Sequence, residues 1–241
     1  MVSLDTTDPA MYKEIRNVDA FDKVVGGIEK AVEFGRKNNC AIVSNTVICS
    51  RNLDEVTKVV KFCDELGVDG IMLDFATFHD YWTDITHEKS TYKPEEMDWR
   101  KKSDKVKEVV PKLVEMRKEY PIITSKSYLE TFLSGDFHYK CYPYLFCCVD
   151  KRGMVAVPCW DHPKTKFYDI LKEHELKDLW FSDEVKEQRE KVKDCTMCYM
   201  HCIVEPSKVL GEPFRHLPDL LEWVATFRRT GKRAMSERAN G

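Results

Sequence analysis

The chain has 241 residues, enough for one large domain or two small ones. Hydrophobic residues make up 43% and charged residues 33%, the balance of a soluble globular protein and not of a disordered one. With 38 Lys+Arg against 41 Asp+Glu the net charge is −3, which argues against bulk nucleic-acid binding, and no run approaches the roughly 18 apolar residues of a membrane span.

The N-terminal residues MVSLDTTDPAMYKEIR hold no apolar core behind basic residues, so no signal peptide is expected and the expected compartment is the cytoplasm. Residues 2–5 (VSLD) read as a strand end, and Asp8 and Pro9 open a helical region. Residues 20–39 continue as an amphipathic helix, with Val24, Val25, Ile28, Val32 and Phe34 near 3.6-residue spacing. CAIVSNTVIC (40–49) is an apolar, β-branched run and reads as a buried strand. Residues 52–67 read as a helix, with Asn52 as N-cap and Gly67 as its stop, and GIMLDFA (70–76) as the next strand. Strands alternating with helices of this length predict a parallel sheet with helical cover.

A polar, aromatic stretch follows. Pro94 then opens a long charged helix through about Glu119, PIITS (121–125) is a further strand, and SYLETFLSG is a short helix ended by Gly135. LFCCVDKRGMVAVPCW reads as a hairpin about the D-K-R-G turn. Residues 176–192 are helical, and the tail LPDLLEWVATFRRTGKRAMSERANG is a helix with a frayed polar end.

Ten cysteines in a reducing compartment need an account. Seven fall in the second half, and five of these carry the metal-site reading: Cys141, Cys159, and then Cys195, Cys198 and Cys202 in C-T-M-C-Y-M-H-C. Cys195 and Cys198 are spaced to grip one metal centre from a single turn, and Cys141 and Cys159 flank the hairpin and can converge on it. Zinc and a cubane iron–sulfur cluster each need four cysteines, so one of the five is spare, and the spacing leaves both groups open. A zinc ribbon shows two close pairs, and here there is one. Cys147 and Cys148 point opposite ways on a strand and read as packing residues; Cys40, Cys49 and Cys63 read as core. His162 and His201 lie beside these thiols, where hydrogen bonding around the site suits them better than ligation.

Ser3 and Asp5 share one strand face. Polar residues at the carboxyl ends of parallel strands often face a ligand, whereas capping and internal hydrogen bonds are the structural reading for Asp5, Asn45 and Asp74. Arg16 reads as a solvent-facing charge.

SLDTTDPAMYKEIRNVDAFDKVVGGIEKA resembles the fourth strand and following helix of radical S-adenosylmethionine enzymes, and SNTVICSRNLDEVTKVVKFCDELGVDGIML resembles their next two strands. Cys141, GMVAVPC and CTMCYMHC resemble the SPASM/twitch modules that carry auxiliary iron–sulfur clusters in those enzymes. SKSYLETFLSGDFHYKC with CTMCYMHCIVEPS is similar to the C-terminal region of adenosyl-hopene transferase-like proteins. The resemblance implies an α/β fold: the second half of a partial (β/α)6 barrel with parallel strands (1–80), a helical connection with a possible strand (81–140), a cysteine-rich module (141–205), and a C-terminal helix and tail (206–241). It implies that Ser3 and Asp5 approach the S-adenosylmethionine ribose with Arg16 or Asn45 helping, and that Cys141, Cys159, Cys195 and Cys198 ligate a [4Fe–4S] cluster, with Cys202 a further candidate.

The family's radical-generating C-x-x-x-C-x-x-C is absent from the chain, which starts in what resembles strand four. Half a barrel leaves a strand edge uncovered. The expectation is therefore a truncated product, or a half completed by an N-terminal half or partner chain, acting when complete on a peptide or lipid-like substrate. The alternatives are a zinc-stapled α/β module without catalysis and, less well supported because C-T-M-C follows a helix and not a strand, a cysteine hydrolase or thiol oxidoreductase.

Overall fold

Strands β1 (Val2–Ser3), β2 (Val43–Ile48) and β3 (Gly70–Phe75) lie side by side in chain order and are parallel throughout, as the alternation of strand and helix predicts. The computed structural model describes residues 1–77, 94–137, 139–160, 162, 164–195 and 198–226. The chain divides into two compact units: unit 1 is Met1–Asp136 with Leu217–Gly241, and unit 2 is Phe137–His216. Among the described residues no helix is long and apolar enough to cross a membrane.

In unit 1 the sheet has two unlike faces. Leu4, Ser44, Thr46, Ile48, Ile71, Leu73 and Phe75 are buried. Their cover comes from the apolar sides of the helices, among them α2 (Phe21–Asn38), α3 (Val56–Glu65) and α5 (Ser103–Met116), which bury Ile28 and Val32, Val59 and Cys63, and Val109 and Leu113. The opposite face carries Ser3, Asn45, Val47, Met72 and Asp74, none of them fully buried. Period two in the strands makes this division. Helix α1 (Pro9–Arg16) begins as predicted: Asp8 Oδ1 accepts from the amides of Ala10 and Met11, and Pro9 takes the first position.

Residues 121–124 extend the sheet beside β3. Ile71 N donates to Pro121 O at 2.8 Å and Ile123 N to Ile71 O at 2.9 Å. The Thr124 hydroxyl then replaces the next backbone rung, accepting from Leu73 N at 2.7 Å and donating to Leu73 O at 3.1 Å.

The structure corrects three readings in this unit. The long helix from Pro94 is interrupted: α4 (Pro94–Met97) is one turn, Asp98 caps a 3-10 turn over Trp99–Lys102, and α5 follows. The break lets Trp99 bury itself, its indole N–H donating to Ala76 O at 3.0 Å and its ring edge-on to Phe75 and Phe132. Asn52 is not a helix cap; α3 starts at Val56, and the buried Asn52 amide ties strand ends together. Strand β2 begins at Val43, which leaves Cys40 exposed. The polar stretch before Pro94 lies outside the described residues.

Helix α6 (Lys126–Ser134) is capped by Ser125 and ended by Gly135 in the left-handed region. A helix over 217–226, α10, returns the chain to unit 1. Buried Arg117 donates to Glu222 at 2.5 Å and the Ser127 amide to Asp219 at 3.4 Å.

In unit 2 the D-K-R-G turn forms, with Gly153 at φ 78° and its amide donating to Asp150 O at 3.0 Å. The first arm of the predicted hairpin is short, joined through the Val149–Val155 bridge and Ala156 N to Cys148 O. The longer partner of β4 (Met154–Val157) is β5 (Lys166–Asp169), antiparallel, which the sequence reading passed over. The helical reading of 176–192 divides into α7 (Leu176–Trp180) and α8 (Asp183–Glu190) because the Ser182 hydroxyl caps a new start. Helix α9 is His201–Gly211. Val155, Val157, Leu179 and Val185 form one core cluster.

The Asn52 amide is the tightest knot in unit 1. Its Oδ1 accepts from Cys49 N, and its Nδ2 donates to Asp5 O and Val47 O, each at 2.8 Å. Asn52→Ala leaves three buried backbone groups unpaired, so urea denaturation is expected to show a loss of about 3 kcal/mol; a loss under about 1 kcal/mol would show that the knot is not needed.

Candidate functional site

Unit 2 brings four thiols to one pocket. Cys141 enters on the loop after Tyr139, Cys159 follows the end of β4, and Cys195 and Cys198 precede α9; all four line the same small, apolar cavity. Pro143, Val192 and Ile203 supply its apolar wall, and Trp160 and His162 complete the lining. Cys202 is exposed on α9 and does not line it.

Local hydrogen bonds fix these loops. Thr165 Oγ1 donates to the carbonyls of Cys159 and His162, and Lys164 N donates to His162 Nδ1 at 3.1 Å. That bond makes Nδ1 an acceptor, so in neutral His162 the proton sits on Nε2. Cys195 N donates to Val192 O at 3.0 Å, Tyr139 Oη to Cys198 O at 2.9 Å, and Met200 N to the Cys198 sulfur at 3.3 Å. Tyr142 N donates to Ser207 Oγ at 3.1 Å, which ties the Cys141 loop to α9.

The electrostatics state what the pocket lacks. Burial pushes the Cys141 thiol up to about 11, and Cys195 pushes the same way. Burial raises Tyr139 too, with Cys198, Cys141 and Cys195 adding to it. Thiolates crowded into an apolar pocket repel one another and lose hydration, which favours the protonated form of Cys141. A cationic centre reverses this balance, because metal ligation requires the thiolate and the positive charge stabilises it.

Among the described residues, no three His, Cys, Asp or Glu side chains converge closely enough to hold a single metal ion. Yet four thiols share one cavity. A mononuclear zinc site needs every sulfur about 2.3 Å from one point, whereas a polynuclear cluster spreads its ligands over several metal atoms.

The other cysteines divide differently from expectation. Cys49 and Cys63 are core residues, fully buried, with burial raising both thiols and Cys63 reaching about 11. Cys40 and Cys147 are exposed and Cys148 is half-buried, so core packing does not account for Cys40 or Cys147. His201 is buried with Nε2 2.8 Å from Glu205 on the next turn of α9. Tyr139, which contacts the thiol cluster, was not singled out by sequence; an aromatic two residues before Cys141 is its only signal.

The strand-end residues of unit 1 separate into two pairs. Ser3 and Asn45 are register partners in adjacent strands, and Met72 extends their row. Ser3 is exposed, and Asn45 Oδ1 is buried without a hydrogen-bond partner. Asp5 instead spends both oxygens internally: Oδ1 accepts from Val47 N at 2.9 Å and Oδ2 pairs with Arg16 Nε at 2.5 Å. Arg16 is thus a counter-ion to a buried carboxylate and not a free surface charge. Asp74 accepts from Tyr128 Oη at 2.8 Å, a structural bond.

Fold and site together define an α/β chain whose parallel sheet is joined to a thiol-lined module. A family described as a domain of unknown function, DUF3463, matches residues 87–221, which is 135 of the 241 residues, and the chain belongs to that family. A probable GTP 3′,8-cyclase of Sulfurisphaera tokodaii is 36% identical over 72 residues, covering 30% of this chain and 22% of the relative. One of Methanococcus vannielii is 33% identical over 119 residues, covering 49% and 37%. The similarity to these cyclases supports the radical S-adenosylmethionine superfamily, the kinship that the sequence resemblance implies. The matches span less than two fifths of those relatives' length. Among solved structures, a histidine-tagged "anSMEcpe with bound AdoMet" superimposes with a TM-score of 0.45 at 19% identity, over 97% of this chain and 68% of the other. At that score no fold assignment rests on it.

The Asp5–Arg16 pair gives a pH prediction. Burial, opposed in part by Arg16, holds the Asp5 carboxyl above its ordinary value. The folded chain therefore keeps this proton where the unfolded chain has lost it, and the group's contribution to stability falls as pH rises above about 4. Arg16→Gln removes the counter-ion and raises Asp5 further. It is expected to cost about 2 kcal/mol at neutral pH, less than for a fully buried pair because Arg16 is partly exposed. Denaturation across pH should show the loss shrinking as acid protonates Asp5; a loss independent of pH would overturn this account.

Proposed function

We propose that this chain is part of a radical S-adenosylmethionine enzyme and carries an auxiliary [4Fe–4S] cluster held by Cys141, Cys159, Cys195 and Cys198. One observation supports the ligand choice above all: these four thiols line one apolar pocket, whereas the fifth, Cys202, is exposed. When bound, such a cluster, with each iron ligated by one of the four cysteines, would supply a redox-active centre.

The chain's own residues shape that centre. Tyr139 packs against Cys141 and Cys198, the Met200 amide donates to the Cys198 sulfur, and the apolar wall excludes water. Hydrogen bonds to ligating sulfur and low exposure both tune a cluster's potential.

In unit 1, Ser3 and Asn45 are the residues left to meet S-adenosylmethionine. The orphaned Asn45 Oδ1 is an acceptor awaiting a donor such as a ribose hydroxyl. Asp5 and Arg16 act one step back, holding the strand end. The radical-generating C-x-x-x-C-x-x-C does not occur in the 241 residues, so on this reading an N-terminal half or partner chain supplies it. The complete enzyme acts on a peptide or an apolar, lipid-like substrate, in a reducing compartment such as the cytoplasm, where free thiols persist.

Anaerobic reconstitution with iron and sulfide tests the reading. The protein is expected to turn brown and to hold about four irons and four sulfides. Cluster loading should protect Cys141, Cys159, Cys195 and Cys198 from alkylation read by mass spectrometry, while Cys202 still reacts. Cys195→Ala should abolish the colour and Cys202→Ala should keep it. A colourless protein with stoichiometric zinc would instead establish a zinc-stapled α/β module.

A further inference from the structure

Arg189, half-buried on α8, is a cation without an anion. A guanidinium has several N–H donors and no acceptor. Nη1 donates to Trp180 O at 3.0 Å. Nε and Nη2 are shut off from water and have no hydrogen-bond partner among the described residues. The acids of α8 are committed elsewhere: Asp183 to Lys186, Glu184 to Lys166, Glu187 to Lys191 and Glu190 to Lys193. Burial pulls the Arg189 guanidinium below its ordinary pKa. Charged donors left unpaired away from water are costly, and in a native fold they call for a partner.

The two unpaired nitrogens share one edge of the guanidinium plane. That edge is the fork that receives both oxygens of a carboxylate. Aromatic rings flank it: the Arg189 Cζ lies 4.1 Å from the Trp180 ring centroid and 5.8 Å from that of Tyr144. Trp180 packs on the Val155–Val157–Leu179–Val185 cluster, so that wall is fixed. Tyr144, on a 3-10 turn over Pro143–Leu145, is 46% exposed, and Cys147 is exposed, so the other side borders solvent. Cys147 is a poor counter-ion. Burial pushes its thiol up, and Arg189 only partly opposes this.

We infer that the Nε–Nη2 edge of Arg189, walled by Trp180 and Tyr144 and opening beside Cys147, binds the carboxylate of a small molecule with an apolar or aromatic body. Exposed Tyr144 is the side chain that such a ligand displaces, and its carbon skeleton then lies against the ring. Carboxylate fits better than phosphate. Among the described residues the groups that bear on the charge of Arg189 are Cys147 and Tyr144, neither of them a cation. One guanidinium balances the single charge of a carboxylate, whereas a phosphate group carries up to about two. No cluster ligand and no cofactor enters this site, so it stands apart from the cluster reading.

Alkylation of the full chain, read thiol by thiol by mass spectrometry, tests the site with benzoate as probe. Two charge-assisted hydrogen bonds supply an affinity of about 1 mM. At about 10 mM, benzoate should slow alkylation of Cys147 about fivefold or more, because the bound anion covers the thiol and cancels the cation that favours its thiolate. Cys40, exposed in unit 1, should keep its rate. Inorganic phosphate or chloride at matched ionic strength should leave both rates unchanged. Arg189→Lys keeps a positive charge and loses the two-donor edge, so benzoate should slow Cys147 less than about twofold there. The comparison of Cys147 with Cys40 in the unaltered chain needs no variant, and decides the matter even where Arg189→Lys fails to fold. No slowing at Cys147, equal slowing at Cys40, slowing by phosphate as great as by benzoate, or undiminished slowing in folded Arg189→Lys would each overturn the inference.

Discussion

Four thiols in an apolar pocket cannot all lose their protons unless positive charge enters with them. This constraint governs unit 2. Burial already lifts Cys141 to about 11, with Cys195 adding to it. The segments that carry them are short: β4 and β5 have four residues each and α7 has five. Elements of that length bury little surface, and the core cluster of Val155, Val157, Leu179 and Val185 has four buried members among the described residues. A centre that binds the folded arrangement and not the unfolded one stabilises it by linkage. The thiols stand at the joints between short elements.

Unit 1 solves a different problem. Its parallel sheet must bring strand ends together although each connection runs through a helix. Polar side chains substitute for backbone rungs where the strands diverge. Asn52 bridges Cys49, Asp5 and Val47, and Thr124 holds Leu73 on the other side of the sheet. Asp5 carries a buried charge in the same corner, balanced by Arg16 and the Val47 amide. With those groups committed to structure, Ser3 and Asn45 remain as the row whose hydrogen-bonding capacity is not used up internally.

Sequence periodicity made the parallel sheet legible because one sheet face is fully buried and the helices covering it are amphipathic; β2 reads half-buried and buried in strict alternation. It failed where a single side chain outweighed the pattern. Trp99 broke a charged helical run, Ser182 restarted another, and Asn52 looked like a cap because its amide suits caps and buried bridges alike. Strand β5 was missed because KFYD has no buried alternation; its pairing comes from the partner strand. That Cys195 and Cys198 lie close together was legible from spacing, since C-x-x-C places two thiols within one turn. Which cysteine is left outside was not, because Cys198 and Cys202 are neighbours on the chain and only the start of α9 at His201 turns one inward and the other out. Arg16 was misread because its partner lies eleven residues back, on a strand.

The order of the units along the chain adds a coupling that neither shows alone. Unit 2, Phe137–His216, is 80 residues inserted between α6 and α10, both of which belong to unit 1. Docking α10 through Arg117 and Ser127 therefore closes a loop of that length. For a disordered loop the closure entropy is worth about 4–5 kcal/mol, more than one ion pair with a half-exposed glutamate provides. A folded unit 2 replaces the disordered loop by an ordered body and removes most of that cost. Whatever stabilises the thiol pocket thus also favours the docked helix, and loss of the pocket's order would loosen α10 although no residue of the helix lines that pocket.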